Sequence, residues 1–223
     1  MAEEKEGFLI ELDDELWFPN PRNGTKEGYF AVGGDLSVKR LLLAYNYGIF
    51  PWFSFRYCSK PFWCCPMSRF VIFPSQIHVS HSMRTLMNKG IYHCSFDKDF
   101  EGVMRGCQMV DGRYFMDGAW LSEDIIKAYT ALHEQGYAHS VEVWEGDELV
   151  GGLYGVAVNK SFIGESMFSR KPSASKLALI ILAKSMEKNG GTMIDCQIET
   201  PHLKSMGGVH IDYDEYLRLL HEK

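Results

Sequence analysis

Apolar positions along the chain change period part-way, and the change divides the sequence. Between 37 and 48, Leu41, Leu42 and Tyr45 recur at helical spacing behind Ser37, a good helix cap, and Gly48 ends the run before Pro51. Turn formers surround this helix: Phe18-Pro19-Asn20-Pro21-Arg22-Asn23-Gly24, then Gly33-Gly34-Asp35, then Gly48 and Pro51. Residues 57–74 predict strand and connection, and 80–89 a helix stopped by Gly90. Helices follow over 97–107 and 122–135, the second capped by Ser122, with Glu123 and Asp124 at its positive end and Gly136 as its stop. The period then drops to two. Strands over 138–145, 149–158 and 161–166, joined by turns at Gly146-Asp147 and Asn159-Lys160, predict an antiparallel meander. A helix over 174–188 ends at Asn189-Gly190-Gly191, and a strand over 193–198 and a helix over 213–221 complete the chain.

This order predicts an α/β (α+β) protein with a small aromatic-rich N-terminal domain, residues 1–70, and a catalytic domain, residues 71–223. Helix pair, meander, helix, strand, helix is also the order in GNAT-like (acyl-CoA N-acyltransferase-like) domains with a mixed, mainly antiparallel sheet, an analogy of fold that leaves substrate open.

Composition narrows the class. With 46% apolar and 23% charged residues, the 223-residue chain reads as globular. The polar start, Met1 to Glu6, and the lack of a long apolar run predict a cytoplasmic protein without a membrane span. The six cysteines then read as free thiols. A net charge of −6 excludes a broad basic surface, so a nucleic-acid partner must be held locally.

Several blocks in fixed order carry a resemblance. They are Phe30-Ala31-Val32-Gly33-Gly34-Asp35-Leu36-Ser37, Ala44-Tyr45 through Gly48-Ile49-Phe50-Pro51-Trp52, Ala138-His139-Ser140-Val141-Glu142, Gly164-Glu165-Ser166-Met167-Phe168-Ser169, Ala174-Ser175-Lys176 and Ile194-Asp195-Cys196-Gln197. From about residue 18 to 220 the sequence resembles the leucyl/phenylalanyl-tRNA-protein transferase family. Where that family usually has Trp-Trp-x-Pro-x-Pro-Arg, this chain has Trp63-Cys64-Cys65-Pro66-Met67-Ser68-Arg69.

The resemblance implies transfer of Leu or Phe, with Met as a further substrate, from aminoacyl-tRNA to the N-terminal amine of acceptor proteins beginning with Arg or Lys. The product carries a degradation signal, and the enzyme is expected to need no cofactor or metal and to act as a monomer. It makes Asp195 and Gln197 the catalytic pair, and strand alternation over 193–198 sets both on one face. Glu165, at a strand edge, is implied to contact substrate. Leu153, Phe162, Leu179 and Leu182 match the aminoacyl pocket, although periodicity alone reads them as core. Trp52 and Trp120, assisted by Tyr45, match residues around the terminal adenosine, where flat rings stack on a base.

Three alternatives stand beside this reading. A GNAT acetyltransferase would hold coenzyme A on a glycine-bearing loop, and Ser169-Arg170-Lys171-Pro172-Ser173-Ala174-Ser175 contains no glycine. A non-catalytic reader of protein N-termini would bind the acceptor and leave the tRNA ester intact. Cys58, Cys64, Cys65, His78 and His81 invite a zinc site, but their spacing matches no common ligand pattern.

Overall fold

The computed structural model describes residues 8–52, 60–109 and 121–222, and two sheets organise them. The first contains β1 (Ile10–Leu12), β2 (Tyr29–Gly33), β3 (Phe50–Trp52) and β4 (Phe62–Cys64) in the order β1-β2-β4-β3, with α1 (Val38–Asn46) between β2 and β3 in sequence. The second is built from β5 (Ser68–Ile72), β6 (His93–Phe96), β7 (Ala138–Glu145), β8 (Glu148–Val158), β9 (Ser161–Ser169), β10 (Ile194–Asp195) and β11 (Val209–Asp212). Its order is β11-β5-β10-β9-β8-β7-β6. Six helices accompany it: α2 (His81–Lys89), α3 (Phe100–Met109), α4 (Glu123–Glu134), α5 (Ala174–Lys188), α6 (Pro201–Ser205) and α7 (Tyr213–Leu220). Among them no helix is long and apolar enough to cross a membrane. In the larger sheet β9 and β10 are parallel, while the other described pairs are antiparallel, so the fold is α/β with a mixed sheet.

Local chemistry accounts for the helix starts. Ser37, Ser80 and Ser122 each accept a backbone N–H three residues on, satisfying a donor that the first turn leaves unpaired. The short strands β1, β3, β4 and β11 are too brief to carry a period of two, and the sequence does not predict them as separate elements.

Alternation gives the larger sheet two apolar faces. Leu153, Phe162 and Ile194 pack with Leu179 and Leu182 of α5 on one side. On the other, Tyr154 and Ile163 join α1, α3, α4, α7 and the N-terminal sheet in a single core. The α5 face holds the cavity described below, and the opposite face holds Tyr45, Tyr129 and Tyr216, the tyrosine partners of Glu165 and Asp195.

Between β8 and β9 the register slips: Tyr154 faces Ser166 and Gly155 faces Gly164, leaving Glu165 as the extra residue of a β-bulge. Gly155 makes this possible, because a Cβ there would lie 2.1 Å from the Ile163 carbonyl oxygen and 2.6 Å from the Phe162 ring. Gly155→Ala is therefore expected to destabilise the protein by about 1–3 kcal/mol, the usual cost of overpacking. Urea unfolding with a lowered midpoint and an unchanged slope is the expected reading; an unmoved midpoint contradicts the clash.

Candidate active site

β9 and β10 pair over only two positions, Phe162 with Ile194 and Ile163 with Asp195. Beyond Asp195 the chain stays with β5 and leaves β9: Cys196 N–H donates to the Phe70 carbonyl at 2.8 Å, and Phe70 N–H to the Gln197 carbonyl at 3.3 Å. The strands splay, and a cavity of about 670 Å³ is lined from both sides of the split. Its volume falls within the roughly 300–1,000 Å³ typical of small-molecule sites.

All four residues matched to an apolar pocket line this cavity: Leu153, Phe162, Leu179 and Leu182. Ile194, Cys196 and Leu203 add to the apolar lining, while Glu165, Gln197, Thr200, Ser175 and Lys176 supply polar groups. The cavity thus combines apolar walls beneath α5 with several polar groups. Burial, reinforced by the Asp195 charge, holds the Cys196 thiol well above its ordinary range.

The expected strand over 193–198 is corrected here. β10 ends at Asp195, and Gln197 takes a left-handed backbone, φ 57°, at the centre of a tight turn in which Ile198 N–H donates to the Cys196 carbonyl at 2.6 Å. The cause is local: Asp195 Oδ1 accepts the Gln197 N–H at 2.8 Å, a side-chain bond that competes with the sheet ladder. Strand alternation therefore does not set the two side chains on one face. What joins Asp195 to Gln197 is this hydrogen bond. A non-glycine residue at positive φ costs of order 1–3 kcal/mol and persists only when its surroundings hold it.

Those surroundings are a buried charge network. Asp195 and Arg69 are both 0% exposed and form an ion pair through two guanidinium nitrogens. Tyr216 of α7 donates its hydroxyl to Asp195 Oδ2 at 2.9 Å, so the carboxylate accepts four hydrogen bonds in all. Arg69 also donates to the Gly48 carbonyl, 2.5 Å away, and lies over the rings of Phe50 (5.0 Å) and Tyr216 (4.4 Å). Partnered on every side, the two charges stay buried without an unsatisfied group. The network ties β5, β10, α7 and the N-terminal turn into one support for Gln197.

Glu165 lies at the bulge, on the edge of β9 that has no described partner on its β10 side from Gly164 onward. Its carboxylate accepts from Tyr45 at 2.7 Å and Tyr129 at 3.1 Å. Burial is the largest influence on it and raises it to about 7, against the lowering effect of the two tyrosine hydroxyls.

The aromatic residues matched to adenosine separate. Tyr45 is 1% exposed, its ring edge-on to Tyr129 with centroids 6.5 Å apart, so it has no free face for a base; its hydroxyl donates to Glu165. Trp52 is half-buried on β3, edge-on to Phe50, and is not among the described cavity-lining residues. Trp120 lies outside the described residues, as does Cys58 of the zinc alternative. Among the described residues no three His, Cys, Asp or Glu side chains come close enough to share a metal ion.

Sequence reasoning missed Arg69, Tyr216 and Tyr129. Arg69 closes the segment begun at Trp63, which was the available signal; Tyr129 and Tyr216 sit at helical spacing with apolar neighbours and read as plain core.

Comparison with known proteins completes the picture. The sequence pattern of leucyl/phenylalanyl-tRNA protein transferases matches residues 71–221, and that of the N-terminal domain of the same proteins matches 34–67. These matches make the chain an enzyme of the aminoacyltransferase class. A leucyl/phenylalanyl-tRNA–protein transferase of Cellvibrio japonicus is 48% identical over 92% of this chain and 86% of its own, and one of Flavobacterium psychrophilum is 47% identical over 94% and 98%. The chain belongs to the leucyl/phenylalanyl-tRNA protein transferase family. A solved protein of unknown function from Bacteroides thetaiotaomicron superposes with a TM-score of 0.47 at 9% identity, covering 86% of this chain and 66% of that one, too slight a likeness to carry an argument.

Proposed function

We propose that this enzyme moves Leu or Phe, and also Met, from the 3′ end of an aminoacyl-tRNA to the N-terminal α-amine of proteins that begin with Arg or Lys, creating a degradation signal. The observation that carries the reading is the cavity itself, with Leu153, Phe162, Leu179 and Leu182 in its walls and Gln197 and Glu165 among its polar groups. An apolar cavity also suits a loose choice among Leu, Phe and Met, since one methylene discriminates by only about 1–3 kcal/mol.

Little chemical assistance is needed. An ester is an activated acyl donor, and freeing an α-amine of pKa about 7.7–8.0 from its proton costs only about 1–1.4 kcal/mol at neutral pH. Placing the reactants contributes more, up to roughly 7–11 kcal/mol. In this reading the Gln197 side-chain oxygen receives an N–H of the incoming amine and so aims its lone pair at the ester carbonyl. Asp195 acts through Gln197, whose backbone N–H it accepts, and Arg69 and Tyr216 act through Asp195. Trp52 and Trp120 stack against the terminal adenosine, which suits a protein of net charge −6.

The wider assignments follow the same reading. The catalytic part, from residue 71 onward, is GNAT-like, supported by the splay of two parallel neighbours, β9 and β10. The N-terminal domain comprises residues 1–70, its last residues entering β5 of the larger sheet. The enzyme works in the cytoplasm as a monomer. The acetyl-CoA alternative is disfavoured because the Ser175 N–H at the start of α5 is already taken by Ser169 Oγ at 2.8 Å.

Radiolabelled Leu-tRNA or Phe-tRNA, mixed with peptides that differ only in their first residue, tests both halves. Label is expected on peptides starting with Arg or Lys. Equal labelling of all peptides removes the basic-acceptor claim, and labelling of none removes the transfer reaction.

A further inference from the structure

Glu165 closes a triangle with two tyrosines. Tyr45 Oη lies 2.7 Å from Oε1, Tyr129 Oη lies 3.1 Å from Oε2, and the two hydroxyls are in hydrogen-bond contact with each other. Three contacts require three protons. With Glu165 ionised the hydroxyls supply two, and one contact is left as oxygen facing oxygen. With Glu165 protonated there are three, and each group donates once and accepts once. The triangle is complete only after the carboxylate has gained a proton.

The surroundings leave that proton to Glu165. From β8, Tyr154 packs against Tyr129 at 5.7 Å, and its hydroxyl has no hydrogen-bond partner; Cys107 of α3 is near Tyr154. From β10 and β5, Asp195 and Arg69 act on Glu165 with opposite sign and are paired with each other. Other cavity groups are unsuited to hold a proton from an amine. An amide such as Gln197 directs an N–H but does not keep its hydrogen. Asp195 already accepts four hydrogen bonds, the Cys196 thiol is held protonated by burial, and burial with the nearby Lys176 charge holds the His202 imidazole below its ordinary range, a weaker base.

We propose that Glu165 is the general base of the transfer, taking the surplus proton from the acceptor's α-ammonium group, with Tyr45 and Tyr129 as positioning residues that receive the protonated form into a closed ring. The proposal rests on the transfer reaction inferred above. In the step, one ammonium proton passes to the Glu165 carboxylate, and the freed nitrogen pair forms the C–N bond at the ester carbonyl. On collapse the bond from that carbon to the ribose oxygen breaks, and the oxygen leaves with the second proton lost by nitrogen. Glu165 then releases its proton to water. Ammonium and ester have become amide, ribose hydroxyl and one free proton.

The test measures kcat/KM against pH with labelled Leu-tRNA and a peptide beginning with Arg. Glu165→Gln, folded as judged by thermal unfolding, is expected to lose about 10²–10⁴-fold, the usual share of a general base. Tyr129→Phe breaks the ring that the protonated carboxyl closes and is expected to shift the acidic limb of the profile, as is Tyr45→Phe. A peptide carrying an N-terminal aminooxy group, already unprotonated at neutral pH, should recover most of what Glu165→Gln loses. An acidic limb unmoved by both tyrosine variants, or a Glu165→Gln loss as large on the aminooxy peptide, overturns the proposal and leaves a purely structural or cation-holding carboxylate. Failure of the wild-type enzyme to label any peptide instead overturns the transfer reading itself.

Discussion

Replacing Arg69 by Met is expected to lower the thermal unfolding midpoint by about 6–20 °C, because an uncompensated buried charge costs about 3–5 kcal/mol and a chain of this size shifts by about 2–4 °C per kcal/mol. The Asp195 carboxylate would lose its bonds from two guanidinium nitrogens while remaining 0% exposed, and the Gly48 carbonyl would lose its donor. Removing both charges is a different experiment. Arg69→Met with Asp195→Leu leaves no orphaned charge, and such apolar replacements of buried pairs are often neutral or stabilising, so most of the lost midpoint should return. Transfer should not return with it, since the Gln197 N–H has lost the side-chain acceptor that turns the residue to φ 57°. A single substitution costing under about 1 kcal/mol would mean the pair is not isolated from water. A double variant with full transfer activity would mean that Asp195 does not position Gln197.

Gly164→Leu should reduce kcat/KM for Leu and Phe transfer by about 10- to 200-fold, the worth of about 1–3 kcal/mol of side-chain burial in an apolar site. Gly164 lines the cavity at the place where β9 and β10 part, and a Cβ added there meets only the Asp195 carbonyl oxygen, at an ordinary 3.4 Å. Its backbone is not in the left-handed region, so a side chain is accepted without strain. Leu would therefore enter the gap without disturbing the sheet, and the unfolding midpoint should move by only a few degrees. Gly164→Ala, with one carbon in the same place, should have a much smaller effect. Equal activity for wild type and Gly164→Leu would show that the substrate does not pass between the splayed strands. The contrast with Gly155, directly across the ladder, is instructive: there an added Cβ meets backbone at 2.1 Å and the fold itself suffers.

Much of the fold was legible because it rests on local rules. Helix α5 begins and ends at the residues that its apolar period and the Asn189-Gly190-Gly191 stop predict, and the meander of β7, β8 and β9 follows two turn signals. Strand β10 was overestimated because a period of two continues through Gln197 on paper, whereas in the protein a carboxylate two residues back captures the backbone N–H and turns the chain. Tyr45 is placed beside the terminal adenosine, assisting Trp52 and Trp120, on the strength of the family resemblance. Its ring is instead enclosed by α4 and β9, elements more than 80 residues away.

By itself the sequence determined the order and kind of most elements, the apolar composition of Leu153, Phe162, Leu179 and Leu182, and, through its blocks, the family. These depend on side-chain type and short spacing, and both are written along the chain. The tertiary structure alone decided that those four residues line an open cavity, that Asp195 is neutralised by Arg69, and that Glu165 is closed in by two tyrosines. Each of these outcomes depends on what lies across the sheet from a residue, and that neighbour is contributed by a segment with no sequence period in common with it. The same carboxylate is an ordinary acid in water, a fixed anchor beside a buried guanidinium, and a proton acceptor beside two hydroxyls.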